Sequence, residues 1–132
     1  MLENVRKRMG REEGFTLIEL LVVMLILGIL AAIAIPSFLN QRSKAQDSDA
    51  KAIARTAQTA METCATENDG SYATCDVPAL VVIEPTLSNA GTDLTAPTHT
   101  ATGYEVAVAS DAGGSFTITR TAPGSIAYSS NW

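Results

Sequence analysis

One apolar stretch near the start of the chain constrains its fold more than any other feature. From Phe15 to Leu39, 20 of 25 residues are apolar, and the exceptions are Thr16, Glu19, Gly28, Pro36 and Ser37. A helix that is apolar on every face lies either in a bilayer or in the centre of a larger assembly, because such a rod aggregates in water. We therefore expect a single membrane span, and neither a freely soluble globule nor a polytopic membrane protein.

The remaining chain is small, polar and acidic. The 132 residues carry 9 Lys and Arg against 14 Asp and Glu, a net charge of −5, so no broad basic surface for nucleic acid is expected. The single histidine, His99, is far from both cysteines, and Asp111 beside two glycines offers only one carboxylate. The sequence therefore predicts no metal, no cofactor, no catalytic residue and no enzyme activity.

Basic residues flank the apolar stretch unevenly. Four lie in residues 1–14, whereas only Arg42 and Lys44 follow the stretch closely, which favours a cytoplasmic start and an exported remainder. A cleavable secretory signal ending at Ala32–Ala34 is the alternative. It is disfavoured because the apolar run continues to Leu39 and contains Glu19.

The segment Gly14–Glu19 (GFTLIE), followed by LLVV, resembles the processing site of type IV pilins and their pseudopilin relatives. The resemblance covers residues 10–45 and implies that a prepilin peptidase cuts between Gly14 and Phe15 and N-methylates Phe15. The mature chain then has 118 residues and a net charge of −6. Glycine suits such a site independently, because a residue without a side chain lets a protease approach the backbone closely.

Glu19 is the one carboxylate inside the apolar stretch. An ionised carboxylate near the bilayer centre costs roughly 2.5–3.5 kcal/mol, so it is either tolerated near the membrane surface or functional. The resemblance implies that Glu19 pairs with the free Phe15 amine of a neighbouring subunit, which offsets the desolvation of both charges. It also implies that Gly28–Pro36 loses helicity in the filament; a tolerated small residue and a simple kink are the alternative.

Helix-forming residues continue beyond Leu39. The spacing of Ala50, Ile53, Ala57, Ala60 and Cys64 predicts one apolar stripe on a helix, and Asn68–Gly70 is a stop signal. The opposite, polar face of this helix is expected to carry the side chains of Lys51, Arg55, Gln58 and Glu62.

The only two cysteines, Cys64 and Cys75, are eleven positions apart. Their spacing is not that of a C-x-x-C redox pair, and an exported location permits oxidation, so we expect a structural disulfide. In many Gram-negative type IV pilins the disulfide encloses a C-terminal loop. This chain departs from that pattern, because no cysteine follows Cys75.

The rest of the chain reads as a small sheet. Strands are expected within 77–84, 103–110 and 116–119, with a last short strand around Ile126 and Tyr128; turns are expected at 111–114 and 122–124, and a Thr-rich loop at 89–103. The fold class is therefore α+β, with a long N-terminal helix whose first half spans the membrane, packed against a small antiparallel sheet as in the pilin roll.

Four segments follow from this reading: a leader (1–14), the transmembrane and assembly half of the helix (15–39), its amphipathic half (40–68) and a β-rich head (69–132). The resemblance implies a structural type IV pilus subunit that polymerises into a homo-oligomeric helical filament. Its implied partners are the prepilin peptidase, an assembly platform protein and an assembly ATPase. The precursor is expected in the cytoplasmic membrane and the assembled protein at the cell surface.

Other functions stay open. A type II secretion pseudopilin or a competence pilin, which forms a short envelope filament, fits the same motif. A single-pass anchored binding protein that never polymerises does not need Gly14, Phe15 and Glu19 in this arrangement, and a secreted enzyme lacks candidate catalytic groups.

Overall fold

The computed structural model describes residues 14–90, 94–122 and 124–132. They form helix α1 (Leu17–Glu67), helix α2 (Val77–Ile83), a 3-10 helix (Pro85–Ala90) and four strands. The strands are β1 (Leu94–His99), β2 (Tyr104–Ala109), β3 (Ser115–Ala122) and β4 (Ser125–Ser130). The α+β class predicted from the sequence is confirmed. The leader at 1–13 lies outside the described residues. The chain divides after Leu39 into two compact units.

Helix α1 ends where the stop signal was predicted. The Gly70 amide donates to the Ala65 carbonyl at 2.7 Å, which closes the last turn. Gly70 has φ +86° and Asp69 has φ 55°, so the chain turns out of the helix through two left-handed residues. Glycine tolerates that conformation without a Cβ clash, which makes position 70 a natural end of the helix.

The described residues of the second unit form one hydrophobic core, between the C-terminal half of α1 and the sheet. The predicted stripe contributes Ala50, Ala57, Ala60 and Cys64, all buried, while Ile53 is partly buried. The buried stripe is wider than predicted, since it also includes Ala54, Met61 and Ala65. Small alanine side chains let the helix lie close to the sheet, and Met61 fills the larger space beside them.

The sheet is antiparallel, with its strands in the order β1-β2-β3-β4. Alternate residues of β2 and β3 point to the core, as period-2 patterning requires, and the buried ones are Tyr104, Val106, Val108, Phe116 and Ile118. The predicted hairpin joins β2 to β3: the Ser110 amide donates to the Gly114 carbonyl at 2.7 Å, and Gly113 has φ +98°. The predicted last strand is β4, which follows a turn at Gly124 (φ +87°).

The prediction of a strand within 77–84 is wrong, because Val77–Ile83 forms helix α2. Asp76 caps it, its Oδ1 accepting from the Ala79 amide at 3.1 Å, and Pro78 lies in the first turn, where a missing N–H is harmless. Proline in a paired strand would remove a ladder hydrogen bond, so Asp76 and Pro78 override the β-branched run that follows them.

The prediction of a loop over 89–103 is also only partly correct. Strand β1 occupies Leu94–His99 and pairs with β2, with an irregularity between Thr95 and Thr98. Leu94 is buried, so the strand forms because its end contributes to the core and β2 offers a free edge. Threonine favours strands, but the segment contains Pro97 and lacks an apolar alternation, which is why sequence patterning missed it.

Candidate assembly site

Helix α1 begins at Leu17, so Glu19 lies in its first turn and Phe15 lies two residues before the helix. Thr16 caps the helix: its Oγ1 accepts from the Glu19 amide at 3.3 Å, and its carbonyl accepts from the Glu19 and Leu20 amides at 3.1 and 3.2 Å. The sequence Thr-x-x-Glu is the capping-box pattern. The cap holds Glu19 in the first turn, where the helix dipole favours a negative charge.

The Glu19 side chain is exposed. Among the residues that the structure describes, nothing pairs with its carboxylate. A carboxylate in an apolar helix without an internal partner is available to a cation from another molecule.

Gly14 and Gly28 have no packing role within the described chain. A Cβ built on either glycine meets no atom within 4 Å. Contacts within the described chain therefore do not require a small residue at Gly14, the predicted cleavage position, or at Gly28. Helix α1 runs unbroken through Gly28 and Pro36, so the loss of helicity predicted for this segment in a filament stays a prediction.

The described part of the first unit exposes its large apolar side chains. Every large apolar side chain from Phe15 to Leu39 is exposed, including Phe15 at 77% and Leu17 at 78%. In the described part of the chain, α1 is the one helix long and apolar enough to cross a membrane. An unpartnered surface of this size is stable only against lipid or against other copies of such a helix.

The second unit contains a polar cluster that sequence reasoning missed, centred on Glu62. Its carboxylate accepts hydrogen bonds from the hydroxyls of Tyr72 (2.8 Å) and Tyr104 (2.9 Å) and pairs with Nη1 of Arg120 (2.6 Å). Burial, followed by the hydrogen bond to Glu62, raises the pKa of both tyrosines. We call Glu62, Tyr72, Tyr104 and Arg120 the Glu62 cluster.

Glu62 was expected on the polar face of the helix, and that expectation is wrong. Its side chain lies against the sheet and is 37% exposed. Helical periodicity could not reveal this, because the partners come from 10, 42 and 58 residues further along the chain. The Glu62 cluster joins α1 to the Tyr72 loop, to β2 and to β3, so it stabilises the head.

The Cys64–Cys75 disulfide closes the loop beside this cluster, with a Cα–Cα distance of 6.0 Å. Tyr72 lies inside the loop, and its ring packs on Tyr104 with 5.0 Å between the ring centroids. The disulfide and the Glu62 cluster therefore hold the same segment against the helix.

Comparison with known proteins finds one family model and several relatives, each similar to part of the chain. Residues 9–35 match the family model described as the prokaryotic N-terminal methylation motif. The type IV major pilin protein PilA of Myxococcus xanthus is 46% identical over 59 residues, which is 45% of this chain and 27% of that protein. The type IV major fimbrial protein FimA of Dichelobacter nodosus is 49% identical over 53 residues, 40% of this chain and 34% of FimA.

A further relative is the prepilin peptidase-dependent protein D of Escherichia coli, 42% identical over 78 residues, which is 59% of this chain and 53% of that protein. The chain thus spans about a quarter to about half the length of these curated relatives. No solved structure matches the chain.

Proposed function

We infer that this chain, which belongs by its N-terminal segment to the type IV pilin and pseudopilin family, is a structural subunit of a type IV pilus. The observation that carries the proposal is the exposed apolar half of α1, which begins at Leu17 and bears one carboxylate, Glu19, that pairs with no group among the described residues. Two proteins named as major pilin and major fimbrial protein are similar to this chain, and the methylation-motif family model matches residues 9–35, which include this segment.

Processing is the first step of the proposed function. A prepilin peptidase hydrolyses the Gly14–Phe15 peptide bond, which leaves a carboxylate on Gly14 and a free amine on Phe15, and the amine is then methylated. The basic residues in 1–14 hold the precursor with its start in the cytoplasm until this cut. The helix meanwhile is stored in the membrane as a single span.

Assembly follows from the new amine. The Phe15 ammonium of one subunit pairs with the Glu19 carboxylate of its neighbour, and each charge offsets the desolvation of the other. The apolar helix exchanges lipid for sister helices, which are equally apolar, so its surface chemistry needs no change. An assembly ATPase and a membrane platform protein supply the work, and the filament emerges at the cell surface.

The test is to shear cells that express the chain, collect the surface filaments and read the N-terminus of their subunit by mass spectrometry. Long filaments whose subunit starts at methylated Phe15 support the proposal. A chain that keeps Met1 and yields no polymer contradicts it.

The pseudopilin or competence-pilin reading is the second candidate. It is supported by the similarity to the prepilin peptidase-dependent protein D of Escherichia coli, which extends over 59% of this chain and whose name records dependence on prepilin peptidase. Processed subunit found only in the envelope, with none in the sheared fraction, supports this reading. Processed chain that stays monomeric indicates a non-polymerising anchored protein instead.

A further inference from the structure

Two surfaces of the second unit, on either side of the buried stripe of α1, carry complementary charge that no ion pair among the described residues neutralises. Successive helix residues are about 100° apart, so Lys51 and Arg55 lie on one side of the buried stripe, whereas Thr56 and Thr63 lie on its other side. The aromatic residues of β3 and β4 cover the first side, and the end of α2 borders the second.

The first surface, the β4 flank, consists of Lys51, Arg55, Ile126, Tyr128 and Trp132. Lys51 Nζ lies 5.3 Å from the ring centroid of Trp132, and the Arg55 guanidinium lies 5.6 Å from that of Tyr128. Neither cation has a carboxylate within 4.0 Å in the described part of the chain. Tyr128 and Trp132 are 51% and 40% exposed, so the flank is both cationic and apolar.

The β4 flank also contains the open edge of the sheet. Strand β1, at the other edge, contains Pro97 and an irregularity in its pairing, which are devices that block the addition of another strand. Strand β4 has the sequence SIAYSS, with no charge and no proline, and all six residues are exposed. An unprotected edge of this kind is a surface on which another chain can dock.

The second surface, the α2 flank, consists of Asp76, Val82 and Glu84. Val82 is 82% exposed, the largest exposed fraction among the described large apolar residues. The carboxylates of Asp76 and Glu84 accept hydrogen bonds only from the neutral groups of Ala79 and Thr86. Across the described residues no cation pairs with either acid.

We propose that the β4 flank of one subunit docks on the α2 flank of the next, so that the heads of the polymer contact each other through Lys51, Arg55 and Tyr128 on one copy and Glu84 and Val82 on the other. The proposal rests on the filament proposed above. A second copy is the partner because the segment from Asn40 onward carries 10 acidic and 5 basic residues, and its own α2 flank complements the cationic flank. Two different surfaces of one subunit make a heterologous contact, and such contacts propagate into open helical chains.

Charge reversal in the full-length chain tests the contact in the expressing cells. Arg55→Glu and Glu84→Lys are each expected to lower the yield of sheared filaments at least fivefold, and the double variant is expected to return to within twofold of the unaltered chain. Glu105→Lys, which reverses an exposed charge on β2 away from both flanks, is the matched control and keeps the yield. Formation of the Cys64–Cys75 bond, read on a non-reducing gel, checks that each variant folds.

Cysteine pairing gives a second readout that is independent of charge. A chain carrying both Val82→Cys and Tyr128→Cys is expected to give a ladder of covalent oligomers when its filaments are oxidised, whereas either single variant gives no ladder. Dimers from a single variant, or full yield from both charge reversals, would overturn the head contact. If the unaltered chain is processed and forms no filament at all, the proposed filament function fails. This outcome differs from failure of the head contact, in which the unaltered chain still forms filaments.

Discussion

The Tyr104 hydroxyl donates a 2.9 Å hydrogen bond to Glu62 Oε1, joining residues 42 positions apart. The same carboxylate oxygen receives Nη1 of Arg120 at 2.6 Å, while the other oxygen receives Tyr72. One acidic side chain on α1 therefore holds the loop, β2 and β3, which makes it the most informative position for testing the stability of the head.

Glu62→Ala is expected to destabilise the head by roughly 2–3 kcal/mol, because it leaves Arg120 without its carboxylate and two tyrosine hydroxyls without an acceptor. Partial exposure of both charges keeps the loss below that of a fully buried pair. The measurement is urea unfolding of the processed chain in detergent, followed by the fluorescence of Trp132, the only tryptophan. Glu105→Ala, on the exposed outer face, is the control and changes the midpoint little. Equal midpoints for the two variants would show that the Glu62 cluster is not stabilising.

The stability of the head should fall in alkaline solution. Burial, reinforced by Glu62, raises the pKa of Tyr104 above its ordinary value of 10.0, so the fold favours the neutral phenol. A group with a raised pKa contributes stability that is fully present below the unfolded pKa and is lost as the pH rises through the folded pKa. Urea midpoints should therefore drop above about pH 10. Tyr104→Phe should flatten this drop, whereas Tyr128→Phe should keep it; the same slope in all three chains contradicts the assignment.

Removing the Cys64–Cys75 disulfide should lower the free energy of unfolding by about 3 kcal/mol, since the bond restricts a short loop in the unfolded chain. The comparison is between the oxidised chain and the Cys64→Ser, Cys75→Ser double variant under one set of conditions. Reductant should shift the midpoint of the oxidised chain and leave that of the double variant unchanged. A shift in both would mean that the reductant acts elsewhere.

Gly103→Ala is expected to destabilise the head by roughly 1–3 kcal/mol, because the new Cβ overlaps the backbone carbonyl of Arg120 and the two strands must move apart. Thr102→Ala, at the exposed neighbouring position, is the control and should cost far less. The measurement is again the urea midpoint. A Gly103→Ala chain as stable as the control would show that β2 and β3 adjust without strain.

Glu19→Ala should leave cleavage and membrane insertion intact and abolish most filament growth, because the Phe15 ammonium loses its partner. A bulky residue at Gly14 should instead stop the pathway earlier and leave a membrane-retained precursor that begins at Met1. Mass spectrometry of the membrane and sheared fractions separates the two stages. Filaments at ordinary yield from Glu19→Ala, or a chain starting at Phe15 from the Gly14 variant, would contradict the respective role.

Local sequence was sufficient to predict the long helix, the position where it ends and the hairpin between β2 and β3. The apolar run from Phe15 to Leu39 specifies an exposed helix whatever surrounds it, since its three polar side chains are too few to form a soluble face. The stop at Gly70 and the hairpin at Gly113 depend on single residues that accept positive φ, which is a property of the residue itself. The candidate assembly residues Gly14, Phe15 and Glu19 were likewise identified from adjacent positions.

The rest was decided by contacts between distant parts of the chain. β1 forms because β2 supplies its hydrogen-bonding partners, although its own sequence favours a loop. Glu62 lies on the sheet rather than in water because Tyr104 and Arg120, far along the sequence, offer more favourable hydrogen bonds than the solvent-facing side does. The periodicity of apolar residues predicts which side chains share one face of a helix or strand. It does not predict which donor, distant in sequence, will hydrogen-bond to a particular carboxylate.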